Sequence, residues 1–154
     1  MRRSVVIIAV LAAVAALPAI GADDDSWFVA FKRIQVQPVD RADTSQLELA
    51  GTIETDGFTD LVFSLGGEFK EGIPKSGLVG AILIPDTEVA VHLLENEGYI
   101  PFPLEVNYNT NGLQRTVFIS DQQTAKVAFP RYRVYFYNET DSGATMSLFI
   151  YRTR

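Results

Sequence analysis

The chain has 154 residues, enough for one domain with a hydrophobic core, and 47% of them are hydrophobic. Charged residues make up 21%, a balance that is typical of folded proteins and argues against disorder. The net charge of −6 disfavours nucleic acids and anionic lipid as partners, because both would repel the domain. Cysteine is absent, which excludes disulfides, thiol catalysis and thiolate metal sites.

Residues 1–22 have the three parts of a secretory signal peptide. Arg2 and Arg3 are followed by an apolar run from Val5 to Leu17 and then by small residues that end at Ala22. We therefore predict a secreted, periplasmic or extracellular protein. The alternative is an N-terminal membrane anchor, since the apolar stretch is just long enough to cross a bilayer. Residues 23–26, which include three aspartates, are predicted to be a mobile acidic N-terminus.

Three strands are predicted in the first part of the domain. The first covers residues 27–39, and its alternation slips at Lys32 and Arg33, which predicts a β-bulge. The second covers residues 46–55, and period-two alternation places four of its residues on one face: Leu47, Leu49, Gly51 and Ile53. A third short strand is predicted at residues 61–65, followed by a glycine-rich loop over residues 66–77.

The middle of the chain contains one clear strand and one ambiguous segment. Residues 78–84 are apolar and lie between Gly77 and Pro85, which predicts a buried strand. Residues 86–98 fit a helix with a cap at Asp86 or Thr87 and with Gly98 past its end. They also fit a strand, because apolar residues alternate from position 89 to 93. We favour the strand because the surrounding chain is β.

Two hairpins are predicted in the second half. The sequence from Asn109 to Gly112 favours a tight turn between strands at residues 104–108 and 113–120. After a short strand at residues 124–129, a closing hairpin joins residues 129–137 to residues 144–151. With eight or nine short strands and at most one short helix, residues 27–154 are predicted to form a single antiparallel β-sandwich of jelly-roll-like type.

Few residues suggest catalysis or metal binding, so we predict neither an enzyme nor a cofactor. The chain has a single histidine, His92, and no Gly-x-Ser-x-Gly motif. Asp56 and Asp60 flank a turn and are a secondary candidate for calcium, although aspartate is also favoured in ordinary turns. Asn138 begins a glycosylation sequon that matters only in a host that glycosylates.

The closing hairpin carries the only candidate binding site. Alternation assigns one face to the core, with Tyr132, Val134, Phe136, Met146, Leu148 and Ile150. The opposite face combines four aromatic rings with two guanidinium groups: Arg131, Arg133, Tyr135, Tyr137, Phe149 and Tyr151. Rings of this kind stack on the apolar faces of sugars, and arginine can donate to a carboxylate. The other interpretations of this face are burial within the fold and contact with another chain.

These features predict a non-catalytic binding module outside the cytoplasm, with a glycan or another protein chain as its partner. The alternative is a structural subunit of an extracellular or cell-surface assembly, which would self-associate through strand edges or through the same aromatic face. Neither interpretation involves nucleic acid, nor a membrane beyond the signal segment.

Overall fold

The computed structural model describes residues 27–154, which form two antiparallel β-sheets packed face to face. The predicted all-β sandwich with a single short helix is confirmed. The predicted signal segment, residues 1–22, and the acidic residues 23–26 lie outside the described residues. Within the described range, no helix is both long enough and apolar enough to cross a membrane.

The described elements follow one another along the chain as β1 (Phe28–Val36), the 3-10 helix η1 (Thr44–Gln46), β2 (Glu48–Glu54), β3 (Asp60–Phe69), β4 (Leu78–Pro85), α1 (Glu88–Glu97), β5 (Leu104–Asn109), β6 (Val117–Ile119), β7 (Gln123–Lys126), β8 (Arg131–Asn138) and β9 (Ala144–Thr153). Sheet A has the order β1-β9-β3-β6, and β7 also pairs with β3. Sheet B has the order β2-β8-β4-β5.

The core lies between the two sheets and is built from the inward residues of each strand. The predicted core face is confirmed, because all of its members are buried: Tyr132, Val134, Phe136, Met146, Leu148 and Ile150. The strand predicted at residues 78–84 is also confirmed as β4, which lies between β8 and β5. Its side chains are buried on both faces of sheet B, which explains its continuous apolar run.

Both predicted hairpins are wrong. β8 pairs with β2 and β4, whereas β9 pairs with β1 and β3, so residues 139–143 carry the chain from sheet B to sheet A. Residues 110–116 make a similar crossing between β5 and β6. In a sandwich, two strands that face each other across the core show the same alternation as two strands paired in one sheet. Local sequence therefore could not distinguish the two arrangements.

The strand predicted within residues 86–98 is also wrong, because this segment forms α1. The Thr87 hydroxyl accepts a hydrogen bond from the Ala90 N–H at 3.2 Å, and Gly98 ends the helix in a left-handed conformation with φ of 63°. Ala90 and Leu94 then pack on sheet B. The two caps and this apolar contact outweigh the period-two pattern at residues 89–93.

Two bulges set the faces of the edge strands. The predicted bulge in β1 is confirmed by a register shift between Phe31 and Ile34. A second shift lies in β2 between Leu49 and Gly51, and it leaves Leu49 exposed while Ile53 is buried. The predicted common face of this strand is therefore wrong, since one extra residue moves the following side chains to the opposite face.

β3 is longer than predicted, because Gly66 and Gly67 lie inside it and the loop starts only after Phe69. Gly67 has a packing reason to be glycine. A Cβ atom at this position would lie 2.6 Å from the Thr145 carbonyl oxygen and 2.8 Å from the Phe118 ring. In this strand, glycine therefore permits close packing and does not mark the end of the strand.

Candidate functional site

The aromatic face predicted from the sequence is divided between the two sheets. Tyr135 and Tyr137 lie on the outer face of sheet B, while Phe149 and Tyr151 lie on the outer face of sheet A. These faces point away from each other, since the core lies between the sheets. The structure therefore does not bring the four rings together, because the chain crosses from sheet B to sheet A between β8 and β9.

The outer face of sheet B is covered by α1, η1 and the chain around them. Tyr135 and Tyr137 are both buried there in a second apolar cluster with one residue at the end of η1 and with residues of β4 and α1: Leu47, Ile82, Ile84, Ala90 and Leu94. Neither tyrosine ring is accessible to a glycan. For these two residues, the alternative interpretation of burial within the fold is the observed one.

Tyr137 is held by a polar cluster above sheet B. Its hydroxyl donates to Glu105 Oε1 at 2.6 Å, and Arg41 Nη2 lies 2.8 Å from Glu105 Oε2. The Arg41 guanidinium also lies 5.1 Å from the centre of the Tyr137 ring. Burial, and then the hydrogen bond to Glu105, raise the pKa of Tyr137 above its ordinary value. Tyr137 and Glu105 therefore bind Arg41 and hold its segment against sheet B.

Arg131 and Arg133 both pair with Asp86, at the chain segment that leads into α1. Arg131 Nε lies 2.6 Å from Asp86 Oδ2, and Arg133 Nε donates to Asp86 Oδ1 at 2.8 Å. The hydrogen bond from Arg133 is the main cause of a lowered pKa for Asp86. Arg133 also reaches Glu95 on the helix, at 3.3 Å. The two arginines therefore fix the position of α1, which sequence reasoning did not predict.

The outer face of sheet A carries an exposed group of rings. Its register places Phe28 opposite Tyr151 and Ala30 opposite Phe149. The ring centres of Phe28 and Phe149 are 6.2 Å apart with planes within 12°, and those of Phe28 and Tyr151 are 4.9 Å apart. We call Phe28, Phe149 and Tyr151 the aromatic patch. Tyr151 is 52% exposed, whereas Tyr135 and Tyr137 on the outer face of sheet B are buried.

Small residues lie beside the aromatic patch, and charged residues border it. Ser64 is opposite Phe149 in the register, and Gly66 is opposite Ser147. The Ser147 hydroxyl accepts a hydrogen bond from the Arg33 N–H at 3.0 Å, which holds it in place. At one end of the face, Lys126 Nζ lies 2.6 Å from Asp60 Oδ1. The outer face of sheet A therefore combines aromatic rings, short side chains beside them that let a ligand come close to the sheet, and charged residues at the border.

Sequence reasoning missed Phe28 because its neighbours come from the far end of the chain. Phe28 and Ala30 alternate with inward residues of β1, so the pattern placed Phe28 on a face but not beside β9. The pairing of β1 with β9 would have predicted the patch. That pairing joins residues more than a hundred positions apart, and no turn sequence signals it.

The calcium candidates are not surrounded by further ligands. Asp60 is paired with Lys126 and also accepts a hydrogen bond from the Thr59 hydroxyl at 2.8 Å. The hydrogen bond from Lys126 is the main cause of a lowered pKa for Asp60. Asp56 lies in an exposed turn. Across residues 27–154, no three histidine, cysteine, aspartate or glutamate side chains are grouped so as to hold a metal.

Asn138, the sequon residue, is buried where the chain crosses between the sheets. Its Nδ2 donates to the carbonyl oxygens of Val36 at 3.2 Å and Ser142 at 2.8 Å. Its Oδ1 accepts from both the N–H and the hydroxyl of Thr140. A glycan on this nitrogen would disrupt the bonds that hold the crossing. In the folded protein, the sequon residues therefore stabilise this loop.

His92 and an open surface groove lie outside the aromatic patch. His92 is exposed on α1, and its Nδ1 lies 3.1 Å from the Asn96 amide nitrogen. An open groove of about 450 Å³ lies between the β1–η1 segment and the crossing loop, and it is lined by Pro38, Val39, Asp40, Gln46, Glu139 and Thr140. No aromatic side chain lines this groove, so it lacks the stacking surface that the aromatic patch provides.

No protein-family model matches the chain, and no curated protein matches it. The function must therefore be argued from the surfaces of the molecule itself.

Proposed function

We propose that this protein is a non-catalytic binding module, secreted or periplasmic, that binds a glycan on the outer face of sheet A. The observation that supports this proposal is the aromatic patch on the outer face of sheet A, where Tyr151 is 52% exposed. Phe149 and Tyr151 are retained from the predicted site and Phe28 joins them. Tyr135, Tyr137, Arg131 and Arg133 have structural roles on sheet B instead.

The chemistry of the face suits a sugar ring. Aromatic side chains offer apolar area to the C–H faces of a pyranose, and the Tyr151 hydroxyl adds a polar group at the edge of the patch. Ser64, Gly66 and Ser147 are short, so a flat ligand can lie close to the sheet next to the rings. The net charge of −6 favours neutral sugars over acidic polysaccharides, because like charges repel.

A glycan array with the protein produced from the full chain tests this proposal. We expect binding to neutral glycans and a loss of about five-fold or more in affinity on Tyr151→Ala, since one stacking ring contributes about 1 kcal/mol. Tyr99→Ala is the matched control, because Tyr99 is 60% exposed next to α1, away from the patch. Failure to bind any neutral glycan, or equal binding by the Tyr151→Ala variant, would contradict the proposal.

A second candidate function is a structural subunit of an extracellular or cell-surface assembly. The observation that favours it is the outer edge of sheet A at β6, where Val117 is 57% exposed and Ile119 is 72% exposed. The two candidates differ in the surface they need. Glycan binding needs the aromatic patch, whereas assembly through this edge leaves the patch free.

A further inference from the structure

β6 is an edge strand whose outward backbone groups have no strand beside them in the described part of the chain. It pairs with β3, and Phe118 lies opposite Gly67. The flanking bonds from Phe69 N–H to the Thr116 carbonyl and from Ser120 N–H to the Leu65 carbonyl fix which residues face β3. Because antiparallel bonding alternates along a strand, the N–H and C=O groups of Val117 and Ile119 point away from β3.

The side chains of β6 hold the strand in place and leave an apolar edge. Phe118 is buried, and the centre of its ring lies 5.2 Å from those of both Phe69 and Tyr108. Val117 and Ile119, on the opposite face, are exposed. The strand itself contains no charged residue. An outward-facing strand with these properties is suited to pairing with another strand.

The edge strands β1 and β2 carry the features that usually prevent such pairing. β1 has a bulge at the positively charged Lys32 and Arg33, and β2 has a bulge after Leu49 and a glutamate at each end. Bulges and charges of this kind disrupt edge-to-edge association. β6 has neither.

We propose that β6 of one copy of this protein pairs antiparallel with β6 of a second copy, about a two-fold axis that passes Phe118. In this register Val117 of each copy lies opposite Ile119 of the other. All the outward-pointing N–H and C=O groups of these residues then form hydrogen bonds, because each of these pairs exchanges bonds in both directions. The exposed aliphatic side chains of the two copies form one continuous apolar cluster on the joined face.

The charges that flank β6 select the same partner and the same register. Arg115 lies in a bend two positions before the strand, and Asp121 follows the strand by two positions, so the two-fold axis brings Arg115 of each copy close to Asp121 of the other. Both side chains are exposed, and neither forms an ion pair within residues 27–154. Opposite charges at mutually facing positions make this segment complementary to itself.

The pairing has two consequences for the assembly. A two-fold contact uses the same strand in both copies and therefore closes after two, which gives a dimer and not a fibre. The contact is short, so the dissociation constant is expected to be about micromolar or weaker. The pairing does not depend on glycan binding, since it uses none of the three rings of the aromatic patch.

Sedimentation velocity across about a hundred-fold range of concentration tests the dimer on protein produced from the full chain. The wild type is expected to dimerise as concentration rises, and Ile119→Lys is expected to stay monomeric with an unchanged melting temperature, because this side chain is exposed. Val89→Lys is the matched control, since Val89 is 70% exposed on α1, which packs on sheet B, whereas β6 belongs to sheet A. A monomeric wild type, or an Ile119→Lys variant that dimerises like the wild type, overturns the proposal.

Charge reversal tests the register in the same measurement. Arg115→Asp and Asp121→Arg are each expected to weaken the dimer, because each places like charges opposite one another. The double variant Arg115→Asp with Asp121→Arg is expected to restore it. A cross-link provides a second check, since the chain has no cysteine of its own. Mixed Val117→Cys and Ile119→Cys proteins should form a heterodimeric disulfide in preference to either homodimer, and equal cross-linking in all three samples overturns the register.

Discussion

The two outer faces of the sandwich carry similar aromatic side chains but differ in how far these side chains are exposed to solvent. On sheet B, Tyr135 and Tyr137 are buried beneath α1 and the chain before β2, whereas Phe149 and Tyr151 on sheet A are partly exposed. The strands that carry them have the same alternation. The difference comes from the connections between strands, since the chain between β4 and β5 forms a helix that crosses sheet B. Accessibility on a sheet face therefore depends on what the connecting segments cover.

The largest expected contrast comes from removing one tyrosine ring on each face. Tyr137→Ala is expected to lower the free energy of unfolding by about 3–5 kcal/mol, because it leaves a cavity and removes one hydrogen-bond donor to Glu105. Tyr151→Ala is expected to lower it by less than about 1 kcal/mol, since that ring is half exposed. Denaturant unfolding of both variants measures the difference. Equal losses would show that the two faces are equally covered.

A methyl group added to each face gives the next contrast. A Cβ atom on Gly80 would lie 2.5 Å from the Tyr137 ring, whereas the nearest atom to one on Gly66 is the Phe118 carbonyl oxygen at 3.5 Å. Gly80→Ala is expected to cost about 1–3 kcal/mol because the ring must shift. Gly66→Ala is expected to change stability by no more than about 0.5 kcal/mol. Thermal unfolding of the pair checks this, and a stable Gly80→Ala variant would show that the Tyr137 ring is not fixed.

The aspartates of the two faces provide a pH test. The pKa of Asp86 is lower in the folded state than its ordinary value of 3.8, because Arg133 donates a hydrogen bond to it. Its stabilising effect is therefore fully present above that value and is lost as the pH falls through the lower, folded-state pKa. Asp86→Asn is expected to cost about 1.5–3 kcal/mol at neutral pH.

The control for this pH test is Asp60→Asn on sheet A, where the partner Lys126 is exposed to solvent. A smaller loss is expected there, since exposed ion pairs contribute little. Unfolding curves recorded from neutral to acid pH should show that wild type and Asp86→Asn become more similar in stability below the ordinary pKa of aspartate. A difference that stays constant with pH would contradict the role assigned to the ionised Asp86.

The smallest effect is expected at the outer end of the same network. Glu95 lies 3.3 Å from Arg133 but is more exposed than Asp86. Glu95→Gln is therefore expected to change the free energy of unfolding by less than about 0.5 kcal/mol. Chemical denaturation at neutral pH measures it beside Asp86→Asn. A larger loss than that of Asp86→Asn would show that α1 is held to the sheet mainly at its C-terminal end and not at its start.

The sequence predicted those features that depend on neighbouring residues. The bulge at Lys32 and Arg33, the buried strand β4 and the core face of the last two strands all follow from local alternation and are confirmed. The pairing partners did not follow from it, because a crossing between sheets and a hairpin share the same pattern. Local sequence was also insufficient to decide between helix and strand for residues 86–98, where the strand was favoured. The apolar residues of this segment fit both periods, and its hydrogen-bonded caps decided between them.

The candidate site could be predicted only in part, because it depends on which strands pair, and the alternation of side chains does not show this. Phe149 and Tyr151 were predicted as ligand-facing residues, and the structure places them on an exposed sheet, where their role in binding stays a prediction. Phe28 was not predicted, because it joins them through a pairing with a distant strand. Arg131 and Arg133 share a face with Tyr135 and Tyr137, as predicted, but that face belongs to sheet B, where Asp86 binds both arginines.

The central position of β9 in sheet A determines when this sheet can form. β1 and β3 are both synthesised early and are joined to each other in sheet A only through β9, which comes last among the described strands. Until residues 144–153 have left the ribosome, β1 has no strand to pair with, and one side of β3 is open. The complete sheet A, with β1 joined to β3, therefore assembles only after β9 has been synthesised, and contacts of such high sequence separation predict slow folding.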